Sequence, residues 1–345
     1  MRIVDLRSDT KTLPTEEMLE AIRTAELGDD VDREDPTVNR VEELAAKKLG
    51  KEAGLLVTSG TQGNLVSIMT HTKHGDEIFV EKYSHLYNNE TGAFAAIAGC
   101  IPHTLNSNRG AIDPEELKKA IRPPNIHFAK PTLVCIENTH NRWGGAVIRP
   151  EQVKAIAEVA QNHDLAVHCD GARIFNAAVA LKTDVKNLVI DCDSVMFCVS
   201  KGLSAPIGSL VVGSSEFIEK ARRNRKLLGG GMRQAGIIAA PAIIAIEQMV
   251  DRLREDHENA RILGEGLEQM GVFDLLPVET NIIIFELAGL GISTPEFVNK
   301  LKAKGILAYA RKQIVRFVTR RGVTRDDVTY ALAQIEDIVT DLVKP

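Results

Sequence analysis

Along the first 250 residues, short runs of β-branched and other apolar residues alternate with longer segments whose apolar positions recur at helical spacing. Runs at 54–59, 77–80, 132–137, 166–170, 194–199 and 209–213 predict strands, and 16–25, 37–49, 114–121, 150–163 and 215–227 predict helices. Pro114 and Pro150 stand at helix starts, where a missing N–H costs little. Alternation on this scale predicts an α/β fold: a large domain with a mostly parallel sheet flanked by helices. After Met249 the texture changes. A charged helical segment at 251–270 leads to strand-like runs at 273–276 and 281–286, a helix at 294–304, short strands at 307–310 and 314–319, and a helix from Thr324. This predicts a division into a large domain, 1–250, whose N-terminal segment contributes to the active site, and a smaller C-terminal α+β domain, 251–345.

Composition narrows the partners. With 42 Lys and Arg against 47 Asp and Glu, the net charge is −5, which lacks the basicity of a dedicated nucleic-acid binder and favours small-molecule ligands. The longest apolar run, 237–246, is far shorter than the roughly 20 residues of a membrane span. Five cysteines form no C-x-x-C pair, and residues 1–10 carry no apolar targeting core, so a reducing, cytoplasmic location is expected. There is no Walker loop, no H-E-x-x-H and no G-x-S-x-G, which removes support for kinase, zincin and serine-hydrolase readings; no metal is expected.

Three loops at predicted strand ends carry the candidate chemistry. Ser59-Gly60-Thr61-Gln62-Gly63-Asn64 joins a strand to a helical segment, either as a phosphate-binding helix start or as a simple helix cap. His168-Cys169-Asp170-Gly171-Ala172-Arg173 ends the run LAVHCD; a carboxylate there points into the crevice where α/β sheets bind ligands, unless it only caps the next turn. Ser200-Lys201-Gly202 follows SVMFCVS, and a lysine in so apolar a setting would have its ammonium desolvated, the condition for nucleophilic attack on a carbonyl.

In this order and context the three loops resemble the pyridoxal phosphate (PLP) enzymes of the aspartate aminotransferase fold. More closely, the chain is similar to the low-specificity L-threonine aldolases: Arg7-Ser8-Asp9-Thr10, Gly28-Asp29-Asp30, Glu34-Asp35-Pro36-Thr37, Glu137-Asn138-Thr139-His140-Asn141, Asp170-Gly171-Ala172-Arg173, Ser200-Lys201-Gly202-Leu203 and Gly229-Gly230-Gly231-Met232-Arg233-Gln234 all recur in that family. The resemblance implies reversible cleavage of L-threonine or L-allo-threonine to glycine and acetaldehyde. It implies Lys201 as the covalent anchor of PLP, Asp170 on its pyridine nitrogen, and Gly60, Thr61, Ser200 and Arg173 around it. Arg233 would come from a neighbouring subunit and His85 would stack on the ring. Ser8, Arg173 and Arg316 would hold the substrate carboxylate, and His85 or His127 would take the β-hydroxyl proton, directly or through water. A homo-oligomer that shares its active sites, a dimer or tetramer, is the implied assembly.

Two of these residues have other readings. Arg316 lies in a basic stretch that reads as a solvated face, yet it interrupts the apolar run Ile314-Val315-Arg316-Phe317-Val318, and His127 in NIHFAK could be an ordinary loop histidine. Asp32-Arg33, Asn88-Asn89, Trp143 and Arg320 depart from the family pattern around the pocket for the β-substituent. A PLP β-eliminating lyase or an aminotransferase would share Lys201 and Asp170, and a non-catalytic phospho-ligand module would need neither role.

Overall fold

The computed structural model describes residues 2–343. Its strands, in chain order, are β1 (Val4–Asp5), β2 (Ala53–Val57), β3 (Glu77–Glu81), β4 (Ile101–Leu105), β5 (Ser107–Asn108), β6 (Ala111–Ile112), β7 (Pro131–Glu137), β8 (Ala166–Asp170), β9 (Ser194–Cys198), β10 (Ser209–Gly213), β11 (Phe273–Leu275), β12 (Ile282–Leu287), β13 (Ile306–Leu307), β14 (Tyr309–Arg311) and β15 (Ile314–Val318). Seven of them form one sheet in the order β2-β10-β9-β8-β7-β3-β4. The run from β9 to β4 is parallel, and β10 joins β9 and β2 antiparallel to both.

Helices cover both faces, so the central strands are buried along almost their whole length; this is why they read as continuous apolar runs rather than alternating ones. The parallel ladder aligns strand ends. Glu137 of β7 stands opposite Asp170 of β8, and Lys201 follows β9 by three residues. The chemistry-bearing loops therefore emerge at one carboxyl edge, the usual ligand crevice of such sheets.

The second unit is an antiparallel sheet, β11-β12-β15-β14, backed by the helices Leu253–Gln269 and Arg325–Val343. Alternation sorts its residues: Ile283, Phe285, Val315 and Phe317 enter the core, while Ile282, Ile284, Ile314 and Arg316 face the other way. That resolves the oddity of an arginine in an apolar strand. Although β1 precedes the large domain in sequence, it pairs in parallel with β13, and Val4 and Leu6 belong to the C-terminal core. The apolar run 237–246 lies within the buried helix Gly236–Gln248, and among the described residues no helix is long and apolar enough to cross a membrane.

Candidate active site

The helix Gly60–His71 starts where β2 ends. Ser59 caps it by accepting the Gln62 N–H, leaving the Gly60 and Thr61 N–H groups at the positive end of the helix dipole. Packing is close here. A Cβ on Gly60 would sit 3.0 Å from Cys198 Sγ and 3.2 Å from Met196 Cε, and one on Gly63 would sit 2.6 Å from Met196 Cγ. The helix start is thus pressed onto β9, beside the loop that carries Lys201.

A cavity of about 380 Å³ opens at this point, lined by Gly60, Thr61, His85, Asp170, Ser200 and Lys201 among others. Asp170 is buried: Oδ1 accepts from Ala172 N at 3.0 Å and Oδ2 from Asn64 Nδ2 at 3.0 Å. The Asn64 amide also donates to Glu90 Oε1, at 2.8 Å, so one side chain bridges two carboxylates. Behind it lies a line of neutral groups. His168 reaches Asn64 Oδ1 at 3.1 Å, and Ser194 Oγ lies 2.8 Å from both His168 and His71. Burial pulls His168 down to about 3 and His71 to about 4, so both stay uncharged and relay hydrogen bonds instead of charge.

His85 separates this cavity from a second one of about 460 Å³, which Arg316 and Arg142 also line. Its Nδ1 lies 2.8 Å from Glu90 Oε1, a contact that favours the proton on Nδ1, so that in the neutral ring Nε2 is the acceptor. Burial alone would lower its pKa, but the Glu90 hydrogen bond and the charges of Asp170, Glu90 and Glu137 outweigh it, and the net shift is upward. Glu137 holds the backbone here, accepting His85 N at 2.5 Å and Asn141 N at 2.8 Å. His85, Glu90 and Asp170 bring one donor atom each within 4.8 Å of one another, a cluster of metal-ligand type that hydrogen bonds through Asn64 and His85 already knit together.

Arg316 is mostly buried and its Nε has no partner among the described residues; burial and the nearby Arg173 lower its pKa to about 10. An unpaired, desolvated guanidinium is primed for a carboxylate. Arg173 is engaged within the chain. Its Nε and Nη2 grip Asp9 Oδ2 and Oδ1 at 2.6 and 2.7 Å, with both side chains buried, and it lines neither cavity. Burial would raise the Asp9 carboxyl, yet Arg173, Lys201 and Arg316 hold it well below the carboxylate range. Ser8 caps the adjoining turn through Thr10 N, placing Thr10 in the cavity wall.

Two residues stand apart from these within this chain. Arg233 is exposed and pairs with Asp29 at 2.8 Å. His127 sits on an exposed loop before β7, anchored at the opposite, amino-terminal edge of the sheet, where Arg122 both pairs with Glu77 and stacks over Phe128. Of the departures from the family pattern, Asn89 lines the second cavity and Asn88 and Trp143 an adjoining one, while Asp32 and Arg33 lie on an exposed turn and Arg320 lies near Asp5. Sequence reasoning quoted Asp9 and Asn64 only as motif members. Their roles depend on contacts 164 and 106 residues away, which no local spacing reveals.

The residues fit PLP on the molecule's own terms: a helix start stripped of side chain for a phosphate, a buried carboxylate, an imidazole and a lysine share one cavity. The class this defines is the beta-eliminating lyase family, whose model matches residues 5–289. Low-specificity L-threonine aldolase 1 of Arabidopsis thaliana is 42% identical, over 100% of this chain and 99% of its own. The low specificity L-threonine aldolase of Escherichia coli K12 is 40% identical, over 96% and 98%. The structure of a Leishmania major threonine aldolase shares the fold, with a TM-score of 0.85 at 18% identity over 97% of this chain and 99% of that one. The chain belongs to the low-specificity L-threonine aldolase family.

Proposed function

We propose that this protein is a PLP-dependent aldehyde-lyase that cleaves L-threonine and L-allo-threonine reversibly to glycine and acetaldehyde. The observation that carries the reading is the joint lining of one cavity by Lys201, Asp170, His85 and the Gly60–Thr61 helix start, with Arg316 across His85 in the next. Relatives at about 40% identity over nearly the full chain bear the aldolase name.

PLP, when bound, supplies an electron sink for the pair released at the substrate Cα. Lys201 would provide the amine that anchors it, the Gly60 and Thr61 N–H groups would hold its phosphate, and Asp170 would face its ring nitrogen and favour the protonated form. Arg316 binds the substrate carboxylate and so fixes which Cα bond can break. His85 Nε2 accepts the β-hydroxyl proton while Nδ1–H stays on Glu90, which offsets the charge that develops. Arg173 and Asp9 act beneath the site, locking the N-terminal segment against the strand end of β8. The exposed Arg233 loop and exposed Leu27, Leu227 and Ile237 support a homo-oligomer with shared sites; five free, buried cysteines favour a reducing, cytoplasmic setting. Product analysis with all four threonine stereoisomers tests the activity. Acetaldehyde and glycine in equal amounts are expected from the L isomers, whereas 2-oxobutyrate and ammonia would identify an eliminating lyase instead.

A further inference from the structure

Threonine carries one carboxylate, but the cavity that would receive it is lined by three arginines, Arg142, Arg311 and Arg316, and by no Asp or Glu. Arg316 is the one assigned to the α-carboxylate above. Arg142 has a neutral partner, Asn89 Oδ1 at 3.2 Å, and Arg311 has no ion pair among the described residues. Glu137 lies behind the wall, with both oxygens committed to backbone N–H groups. Arg142 and Arg311 also border the adjoining cavity, whose wall includes Asp274 and Glu286, but no side-chain hydrogen bond or ion pair joins either arginine to those acids among the described residues.

The sheet register gives the cations a spacing. Arg316 pairs with Tyr309 and Ile314 with Arg311, so Arg311 and Arg316 sit on the same face, one strand and two residues apart. By ordinary strand dimensions their Cα atoms are about 8 Å apart. Long guanidinium side chains on that baseline can converge on the two ends of a four- or five-carbon dicarboxylate.

We propose that the substrate class this site selects is β-hydroxy-α-amino acids whose β-substituent ends in a carboxylate, the second carboxylate being held by Arg142 and Arg311. This rests on the aldolase reading above. For 3-hydroxyaspartate the Cα–Cβ bond breaks, the β-hydroxyl proton leaves to His85 and the Cβ–O bond becomes the carbonyl of glyoxylate. The electron pair stays with Cα, which takes up a proton to give glycine. Atoms balance with no added oxidant or reductant.

The test compares kcat/KM for threonine and for threo- and erythro-3-hydroxyaspartate, reading acetaldehyde and glyoxylate, in the unaltered holoenzyme and in Arg142→Gln and Arg311→Gln. PLP absorbance checks that each variant is loaded. The unaltered enzyme should prefer a hydroxyaspartate, and each substitution should lower the hydroxyaspartate-to-threonine ratio at least tenfold, mainly through KM. If threonine is cleaved but the ratio in the unaltered enzyme is below one, or neither substitution moves it threefold, the dicarboxylate assignment is overturned and the aldolase reading stands. If neither compound is cleaved, the aldolase reading falls, and this assignment with it.

Discussion

At the scale of single residues, the proposed mechanism divides the work between His85, Arg316 and the Asp9–Arg173 pair. His85→Asn should lower kcat/KM for threonine by about 10²–10⁴-fold, the usual contribution of a sole general base, and should weaken PLP retention because the same ring borders the cofactor cavity. Retention of full activity would remove His85 from the mechanism. Its upward-shifted pKa has a sign that can be followed. The charged form is favoured by folding, so this contribution to stability is complete below the ordinary value of 6.5 and is lost as pH rises through the shifted value. Only the neutral ring can act as base, so the acidic limb of kcat/KM should lie above 6.5, and Glu90→Gln should move it to lower pH. A limb that does not move would show that Glu90 does not set the titration. Arg316→Leu should act mainly on KM for threonine, since it removes a carboxylate partner. Asp9→Ala, by contrast, should cost roughly 3–5 kcal/mol of stability, because it leaves Arg173 charged and buried, and a urea unfolding midpoint reads it directly. Sequence motifs pointed to both Arg173 and Arg316, but not to which would be free. That depends on Asp9, which the fold brings from the far end of the domain.

At the scale of elements, the strands that hold the site were legible because both of their faces are buried: β3, β7, β8, β9 and β10 each fall where an uninterrupted apolar run predicts a strand. The missing member, β4, reads IPHTL and carries Pro102 among partly exposed residues, the signature of an edge strand and a weak one to read alone. The short first strand was illegible for a different reason. Its partner β13 lies some 300 residues later, and no local pattern encodes that pairing. The helix start at Gly60 makes a sharper prediction. Gly60→Ala places a methyl group 3.0–3.2 Å from Cys198 and Met196, so those side chains or the helix start must give way by a few tenths of an ångström. PLP affinity, measured by absorbance titration, should fall at least tenfold while far-ultraviolet circular dichroism is unchanged. Unaltered affinity would mean that this helix start is not where the phosphate is held.

At the scale of the whole molecule, two sheets meet across His85: the parallel sheet offers Lys201, Asp170 and the helix start, and the C-terminal sheet offers Arg316 from the face turned away from its own core. On the proposed reading, both units contribute to one reaction. Neither the change of texture after Met249 nor the strand-end loops alone announces that the units share a site; the alternation along β15 does, once the core face is known. The assembly is testable in the same terms. Exposed Arg233 and its apolar neighbours should be covered by a second copy, so sedimentation at assay concentration should give an oligomer, and dilution that yields monomer should cost activity. A fully active monomer would refute the shared site. The central claim, that Lys201 is the covalent anchor of PLP opposite Asp170 and the Gly60 helix start, is tested most directly by borohydride reduction of the holoenzyme followed by peptide mapping. The account predicts a phosphopyridoxyl group on Lys201 and its loss in Lys201→Ala, and the same group on any other lysine would contradict it.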